Sequence, residues 1–369
     1  MTRVHQVCAR LQFGDAVTNH VLAIHRLLGQ WGAESHVYAN TADAVHAADN
    51  EGEQRYRRGF MSKRDDLLIY HYSVYNPNHR LYLRTLNRRV FVYHNITPPE
   101  FFDPWHREIA EVCRRGRALL PELKGCDLAL GDSDFNRREL VEAGFPEEKT
   151  SVLPILLSEE KMSRCDPDLL ERLRGDDSLK LLFVGRLVPN KKIEDLLDFF
   201  AYYRRVYNWR SRLFVVGSSW SVSYNRLLYE RVRRLGLAGR VEFPGGAAGV
   251  SDQALSSYFQ GCDLFITMSE HEGFCVPLVE AMYHGLPAFA YACAAVPDTL
   301  GGSGALFYRK DWRMLGAALE EVRHDPALRE GMVERQRRRY RELSPDRTAG
   351  RLRELLRTFL EGEGERPSL

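Results

Sequence analysis

The sequence predicts an α/β protein built from two doubly wound domains, and three observations predict it. The chain has 369 residues, more than one ordinary core holds, so two domains are expected. Short apolar runs alternate with amphipathic helical patterns, which is the mark of parallel sheets in βαβ units. The alternation breaks once, in the charged and poorly periodic stretch 158–178, which carries Asp166-Pro167 and Gly175-Asp176-Asp177. The expected layout is therefore a first domain over 1–157, an interdomain segment over 158–178 with a short helix, a second domain over 179–345, and a final helix with a polar tail over 346–369.

The expected strands of the first domain are 3–9, 34–39, 67–71, 90–94, 128–131 and 150–153, with helical patterns such as 19–31 and 136–143 between them. The second series gives strands at 179–185, 212–216, 241–243, 264–267, 288–291 and 305–307. Its helical patterns are 193–207, 225–235, 252–260, 279–284 and 312–323. The last pattern, 346–360, places Leu352, Leu355, Leu356 and Phe359 at a spacing suited to a docking face. In sheets of this kind ligands bind at the carboxyl ends of the strands.

Bulk properties exclude several classes. The net charge of +2, from 52 basic and 50 acidic residues, speaks against a dedicated nucleic-acid binder, and the basic run 335–341 reads as an exposed helix. Seven cysteines at 8, 113, 126, 165, 262, 275 and 293 form no C-x-x-C pair, so they read as reduced thiols rather than a disulfide frame or zinc site. The first residues lack the apolar core of a signal peptide, and no stretch approaches the roughly 18 apolar residues of a membrane span. A cytoplasmic protein is expected, and the sequon Asn95-Ile96-Thr97 would then carry no glycan. The segment 106–124 sets Arg107, Arg114, Arg115, Arg117 and Lys124 among Ile109, Val112, Leu119 and Leu120. It reads either as a solvated face or as a surface for anionic membrane.

Two stretches carry chemistry. Residues 269–282 read Ser-Glu-His-Glu-Gly-Phe-Cys-Val-Pro-Leu-Val-Glu-Ala-Met. Pro277 suits the first position of a helix, which puts Glu280 in the first helical turn and Glu272 in the loop before it. The N–H groups from Cys275 to Leu278 are then expected to be unpaired, making an anion site flanked by two carboxylates able to accept from hydroxyls. The second stretch, Gly185-Arg186-Leu187-Val188-Pro189-Asn190-Lys191, ends a buried strand with two cations. Arg gives phosphate a planar fork and Lys a movable point charge, though alone the pair reads sooner as a solvated basic loop. His94 follows the apolar strand residues 90–93 and reads as a core histidine or as a hydrogen-bonding group at a site. His71, also at a strand end, is a second candidate.

Gly-Arg-Leu-x-x-x-Lys followed by Glu-Gly-Phe-x-x-Pro-x-x-Glu-Ala-Met resembles the retaining glycosyltransferases of family 4, or group 1. Val241-Glu242-Phe243-Pro244-Gly245, Gly261-Cys262-Asp263-Leu264-Phe265, Gly285-Leu286-Pro287-Ala288 and Ala295-Val296-Pro297-Asp298 resemble further blocks of that family in the same order. The first half matches more loosely, with Gly14-Asp15-Ala16 where the family commonly has Gly-Gly, Tyr93-His94-Asn95 at a strand end, and Asp132-Ser133.

The resemblance implies the GT-B fold, two Rossmann-like domains facing across a cleft. It implies a metal-independent hexosyltransferase whose donor, a UDP-, GDP- or ADP-sugar, is a substrate rather than a resident cofactor. Arg186 and Lys191 would bind the diphosphate, with Gly185 and the Gly14 loop. Gly273, Phe274, Cys275 and Val276 would form the turn against the donor, and Phe243 would lie near the base. Glu280 would hold the ribose, Glu272 the transferred sugar, and His94 would lie near the reacting centre. The acceptor would be a saccharide, a lipid-linked molecule or a small molecule, in cell-surface polysaccharide or glycoconjugate synthesis. The protein would work in the cytoplasm, with a peripheral contact at the inner membrane face left open. Two alternatives stay open, a nucleotide-sugar sensor without transfer and a GT-B epimerase, the Glu-x7-Glu block speaking against the latter. No G-x-G-x-x-G follows any strand, which speaks against a dehydrogenase.

Overall fold

The computed structural model describes residues 2–361; residues 362–369, most of the expected polar tail, lie outside the described residues. The chain forms two compact units. The first holds residues 2–99, 108–157 and 344–361, and the second holds 100–107 and 158–343.

The first unit contains strands β1 (Arg3–Leu11), β2 (Glu34–Ala42), β3 (Leu67–Tyr72), β4 (Arg88–Tyr93), β5 (Leu128–Gly131) and β6 (Thr150–Val152). Its helices are α1 (Ala16–Gln30), α2 (Glu53–Gly59), α3 (His79–Arg84), α4 (Arg107–Leu119) and α5 (Asp134–Glu142). The sheet is parallel, in the order β2-β1-β3-β4-β5-β6. Every residue of β3 is buried, as expected for a central strand covered on both faces. Helix α1 turns Val21, Ile24 and Leu28 inward at helical spacing. Ile24 and Leu28 share a core with Val4, Ile69, Val92 and Leu130 of the sheet, and Val21 packs in a second cluster with Cys8, Val37 and Ala39.

The second unit runs α6 (Glu159–Ser163), α7 (Pro167–Arg174), β7 (Lys180–Val184), α8 (Ile193–Val206), β8 (Arg212–Val216), α9 (Val222–Arg234), β9 (Val241–Glu242) and α10 (Asp252–Gly261). It continues through β10 (Leu264–Thr267), α11 (Val276–His284), β11 (Ala288–Tyr291), α12 (Val296–Leu300), β12 (Ala305–Phe307), α13 (Trp312–His324) and α14 (Pro326–Glu342). Its strands are also parallel, in the order β12-β11-β10-β7-β8-β9. Helix α15 (Pro345–Leu360) returns to the first unit and buries Leu352, Leu356 and Phe359 in its core.

Residues 158–178 differ from the expected connector. They form α6 and α7, part of the second unit, and bury Met162, Leu170 and Leu173. Asp166 caps α7 at the Leu169 N–H, with Pro167 in the first turn. The pair is stitched to α10, where the Ser256 hydroxyl donates to the Met162 carbonyl at 2.6 Å and the Asp166 N–H donates to the Ser257 hydroxyl at 2.8 Å. Three apolar side chains of this kind would be left wet in a free connector, which is why the segment docks.

Helix α4 carries the basic segment singled out above. It buries Ala110, Cys113 and Gly116. Arg114 pairs with Glu111, Arg115 stacks over Tyr75 with its carbon 4.0 Å from the ring centre, and Arg117 pairs with Glu139. No helix among the described residues is long and apolar enough to cross a membrane. All seven cysteines are free thiols.

Candidate active site

In the second sheet the chain runs outward from β7 through β8 to β9, then jumps back to place β10 on the other side of β7. The loops after β7 and β10 therefore meet at a topological switch point, where open α/β sheets bind ligands. Backbone bonds lace them together. The Glu270 N–H donates to the Asn190 carbonyl at 2.8 Å, and the Asn190 side-chain amide donates to the His271 carbonyl at 2.9 Å. This alignment delivers Lys191 to Glu272, its Nζ lying 2.6 Å from both carboxylate oxygens. Both side chains are largely buried, at 18% and 8% exposure, so solvent screens the pair little. Sequence reasoning gave the two residues separate ligand roles; the structure joins them to each other.

Arg186 stands exposed at the end of β7, and its guanidinium has no protein partner among the described residues. Below it the strand ends press backbone against backbone. A Cβ on Gly217, at φ +153, would sit 2.0 Å from the Gly185 carbonyl oxygen, and one on Gly245 would sit 2.7 Å from the Gly217 carbonyl oxygen. Gly217 was not singled out from the sequence. A lone glycine after a strand gives no motif, although the Gly-Ser-Ser that follows β8 was the available signal. Phe243 directly follows β9 and meets the Tyr229 ring edge-on at 5.1 Å.

Helix α11 corrects three details. It begins at Val276, so Pro277 is its second residue and Glu280 lies just past its first turn. The Leu278 N–H is paired with the Cys275 carbonyl at 3.0 Å. Only the Cys275 and Val276 N–H groups, among the described residues, lack a protein acceptor there. Cys275 makes the turn at φ +70, in the left-handed region that a non-glycine residue occupies at a cost. The turn is held from behind: the Thr299 hydroxyl donates to the Phe274 carbonyl, and the Ala295 N–H to the Glu272 carbonyl. Gly273 leads into that turn, and Phe274 and Cys275 are buried within it.

Glu280 is part-exposed by surface area, yet its carboxyl is closely surrounded and makes no hydrogen bond among the described residues. Burial, with a smaller push from the Asp252 charge, raises it to about 7. A carboxylate without a partner can accept hydrogen bonds from hydroxyls, and an unpaired guanidinium can donate to phosphate oxygens.

In the first unit His94 has protein partners at both ring nitrogens. Its Nδ1 lies 3.0 and 2.9 Å from the two Asp132 oxygens, and its Nε2 lies 3.0 Å from His71 Nδ1. His71 Nε2 in turn lies 3.0 Å from the Gln6 amide oxygen, and the Gln6 amide nitrogen donates to the Val21 carbonyl. Proton positions follow from that order. Gln6 accepts, so His71 Nε2 donates and, in a neutral ring, His71 Nδ1 accepts. His94 Nε2 must then donate, and one proton is shared between His94 Nδ1 and Asp132. Burial lowers His71 well below its usual range and raises Asp132. Both ring nitrogens of His94 are therefore engaged inside the protein, which is the core-histidine reading of the two the sequence left open. The chain of partners comes from β1, β3 and the residues just after β4 and β5, an adjacency the sequence does not display.

The Gly14 loop also differs from expectation. Gly14 is exposed at φ +72, but the end of α1 is occupied by Asp15, whose carboxylate accepts from the Thr18 N–H at 3.0 Å. The Phe13 N–H donates to Asp43 and the Gln12 N–H to the Thr18 hydroxyl. A carboxylate on the helix terminus and neighbouring donors already paired leave little there for a phosphate. The Asp15-x-x-Thr18 spacing was the signal of that cap.

Comparison with known proteins agrees with this geometry. A sequence model of the glycosyl transferases group 1 matches residues 171–339, the part that holds Arg186, Lys191, Glu272 and Glu280. The chain is 25% identical over 263 residues to an O-antigen chain mannosyltransferase B of Escherichia coli, covering 70% of this chain and 67% of that protein. Among solved structures it resembles HepE of Anabaena in complex with UDP and glucose, with a TM-score of 0.75, 17% identity, and coverage of 97% of this chain and 100% of that one. It also resembles sucrose-phosphate synthase of Thermosynechococcus elongatus, with a TM-score of 0.77, 16% identity, and coverage of 98% and 100%. At those identities the structural likeness speaks for the fold. With the switch-point site and the two parallel six-stranded sheets taken together, the chain has the GT-B fold, and its residues 171–339 match the glycosyl transferases group 1.

Proposed function

We propose that the protein is a retaining hexosyltransferase of the family 4 kind, moving a hexose from a nucleoside-diphosphate sugar to a saccharide, lipid-linked or small-molecule acceptor. The observation that carries this reading is the cluster at the second sheet's switch point: the Lys191–Glu272 pair, the unpartnered Glu280 carboxylate and the free Arg186. Arg186 and Lys191, with the N–H groups of Cys275 and Val276, would offset the charge that grows on a departing nucleoside diphosphate, in place of a metal. Glu280 would accept from the ribose hydroxyls, and Glu272, oriented by Lys191, from the sugar. Phe243 would border the base.

In the reaction we favour, the bond from the anomeric carbon to the diphosphate oxygen breaks while the acceptor oxygen bonds to the same face. The acceptor proton passes to the departing phosphate oxygen, so no protein nucleophile is needed. The names of the relatives, an O-antigen mannosyltransferase and a UDP- and glucose-bound protein, support a polysaccharide or glycoconjugate setting and a nucleoside-diphosphate-sugar donor. The work would be done in the cytoplasm, with α4 as the surface that meets the bilayer if the acceptor is lipid-linked.

The test is a thermal-shift panel of UDP-, GDP-, ADP- and TDP-sugars on the wild type, Arg186→Ala and Glu280→Ala. Ligand that binds only the folded state raises the melting temperature. The expected result is a shift with one nucleotide class, reduced in both variants, followed by a product that keeps the donor's anomeric configuration by NMR. No shift with any donor, or an inverted product, overturns the reading.

A further inference from the structure

Residues 100–107 interrupt the first unit's sequence to join the second. They form a tight strap in which the Trp105 and His106 N–H groups both donate to the Phe102 carbonyl, at 2.9 and 2.8 Å. The second sheet is complete without them. Their aromatic side chains nevertheless bear on three of its carboxyl-end loops. The Phe101 ring lies 6.3 Å from the ring of His271, centre to centre, and 5.9 Å from Lys192 Nζ. Phe102 lies 5.3 Å and His106 5.9 Å from Trp220, in the loop after β8. Trp105 meets Tyr224, in the first turn of α9, edge-on at 5.2 Å.

Lys192 and His271 are the immediate sequence neighbours of Lys191 and Glu272. Lys192 is also held at φ +50, a strained position that persists only where its surroundings enforce it. Those surroundings are Glu270, at 3.4 Å from its ammonium, Glu194 at 3.9 Å, and the Phe101 ring. An aromatic face attracts a cation set over it. The same ring therefore bears on both loops that carry the Lys191–Glu272 pair, through Lys192 in one and His271 in the other.

We infer that the strap is part of the donor site, with Phe101 the positioning residue that holds the loops of Lys191 and Glu272 in register for a nucleoside-diphosphate sugar. This rests on the donor reading above. Phe101 touches the neighbours of the binding groups rather than the reacting atoms. Its loss should therefore weaken nucleotide binding and raise the donor KM more than it lowers kcat.

The experiment uses the full chain as wild type, Phe101→Ala, Phe101→Tyr and Trp209→Ala. Trp209 is 68% exposed and has no part in the site. Calorimetric titration with UDP, GDP and ADP is paired with melting curves and donor kinetics. The expected result is a nucleotide Kd raised roughly three- to tenfold in Phe101→Ala. The melting temperature should change little, Phe101→Tyr should restore the affinity, and Trp209→Ala should match the wild type. A Phe101→Ala protein with wild-type Kd and KM, or one whose weaker binding tracks a matching loss of melting temperature, overturns the strap's role. A wild type that takes up none of the three nucleotides overturns the donor reading, and the strap with it.

Discussion

Glu280→Gln should make the empty protein more stable at pH 8 while removing its affinity for nucleotide. In the fold the Glu280 carboxyl sits at about 7, raised from 4.5 first by burial and then by Asp252. An acid raised in this way binds more protons folded than unfolded between those two values. Stability is therefore lost as pH rises through the window, and the loss is complete above it. The gap, at ~1.36 kcal/mol per pH unit, comes to about 3 kcal/mol. Screening at the part-exposed oxygens brings it to roughly 1–2 kcal/mol. The amide of Gln has the same shape and no charge to desolvate. Trp105, Trp209, Trp220 and Trp312 all belong to the second unit and Trp31 to the first, so tryptophan fluorescence in urea reports chiefly on the unit concerned. The wild type and Glu280→Gln should unfold almost together at pH 5, and the variant should unfold later at pH 8. Added nucleotide should close that gap by stabilising only the wild type. Equal midpoints at pH 8, or a difference unchanged between pH 5 and pH 8, would refute the burial argument.

Three further outcomes follow from the same geometry. Lys191→Met strands the buried Glu272 charge and should cost about 3–5 kcal/mol; adding Glu272→Gln should recover much of it in urea titrations, and strictly additive losses would show that the two do not act as a pair. Gly217→Ala drives a Cβ to 2.0 Å from the Gly185 carbonyl oxygen and should cost more than ~3 kcal/mol and distort the donor loops, whereas Gly236→Ala, at φ +67 in open space, should cost only about 1 kcal/mol; equal melting temperatures would count against the close approach. Asp132→Asn offers an N–H where the shared proton lies and should cost under ~1 kcal/mol, while Asp132→Ala leaves His94 Nδ1 unpaired and should cost about 1–3 kcal/mol; equal damage from both would mean that the carboxylate charge itself is required.

The twelve strands were legible because a buried parallel strand needs a continuous apolar run, and runs such as Leu67–Tyr72 can hardly be anything else. Helices α2 and α3, of seven and six residues, were not identified, since so few residues set no clear period and tertiary contacts decide their state. Arg186, Lys191, Glu272 and Glu280 stood out because each lies within a short motif. The bond between Lys191 and Glu272 did not, because residues 81 apart in sequence meet only once β10 is laid beside β7. His94 read either as a core histidine or as a site group, and the partners of its two nitrogens come from other strands that the sequence does not set beside it. The strap had a signal, Phe101-Phe102 followed by Trp105 in a loop, which is more aromatic surface than a solvated turn carries.

Helix α15 closes the first unit's core, with Leu352, Leu356 and Phe359 set against Ile24, Leu67 and Val92, and Arg88 reaching the Thr358 carbonyl at 3.2 Å. During synthesis that helix leaves the ribosome only after all of residues 158–343. The nascent first unit must therefore wait, its apolar floor uncovered, while the second unit is translated and free to fold. The order of completion is the reverse of the order of translation, and chaperone demand should fall on the early part of the chain for as long as that interval lasts.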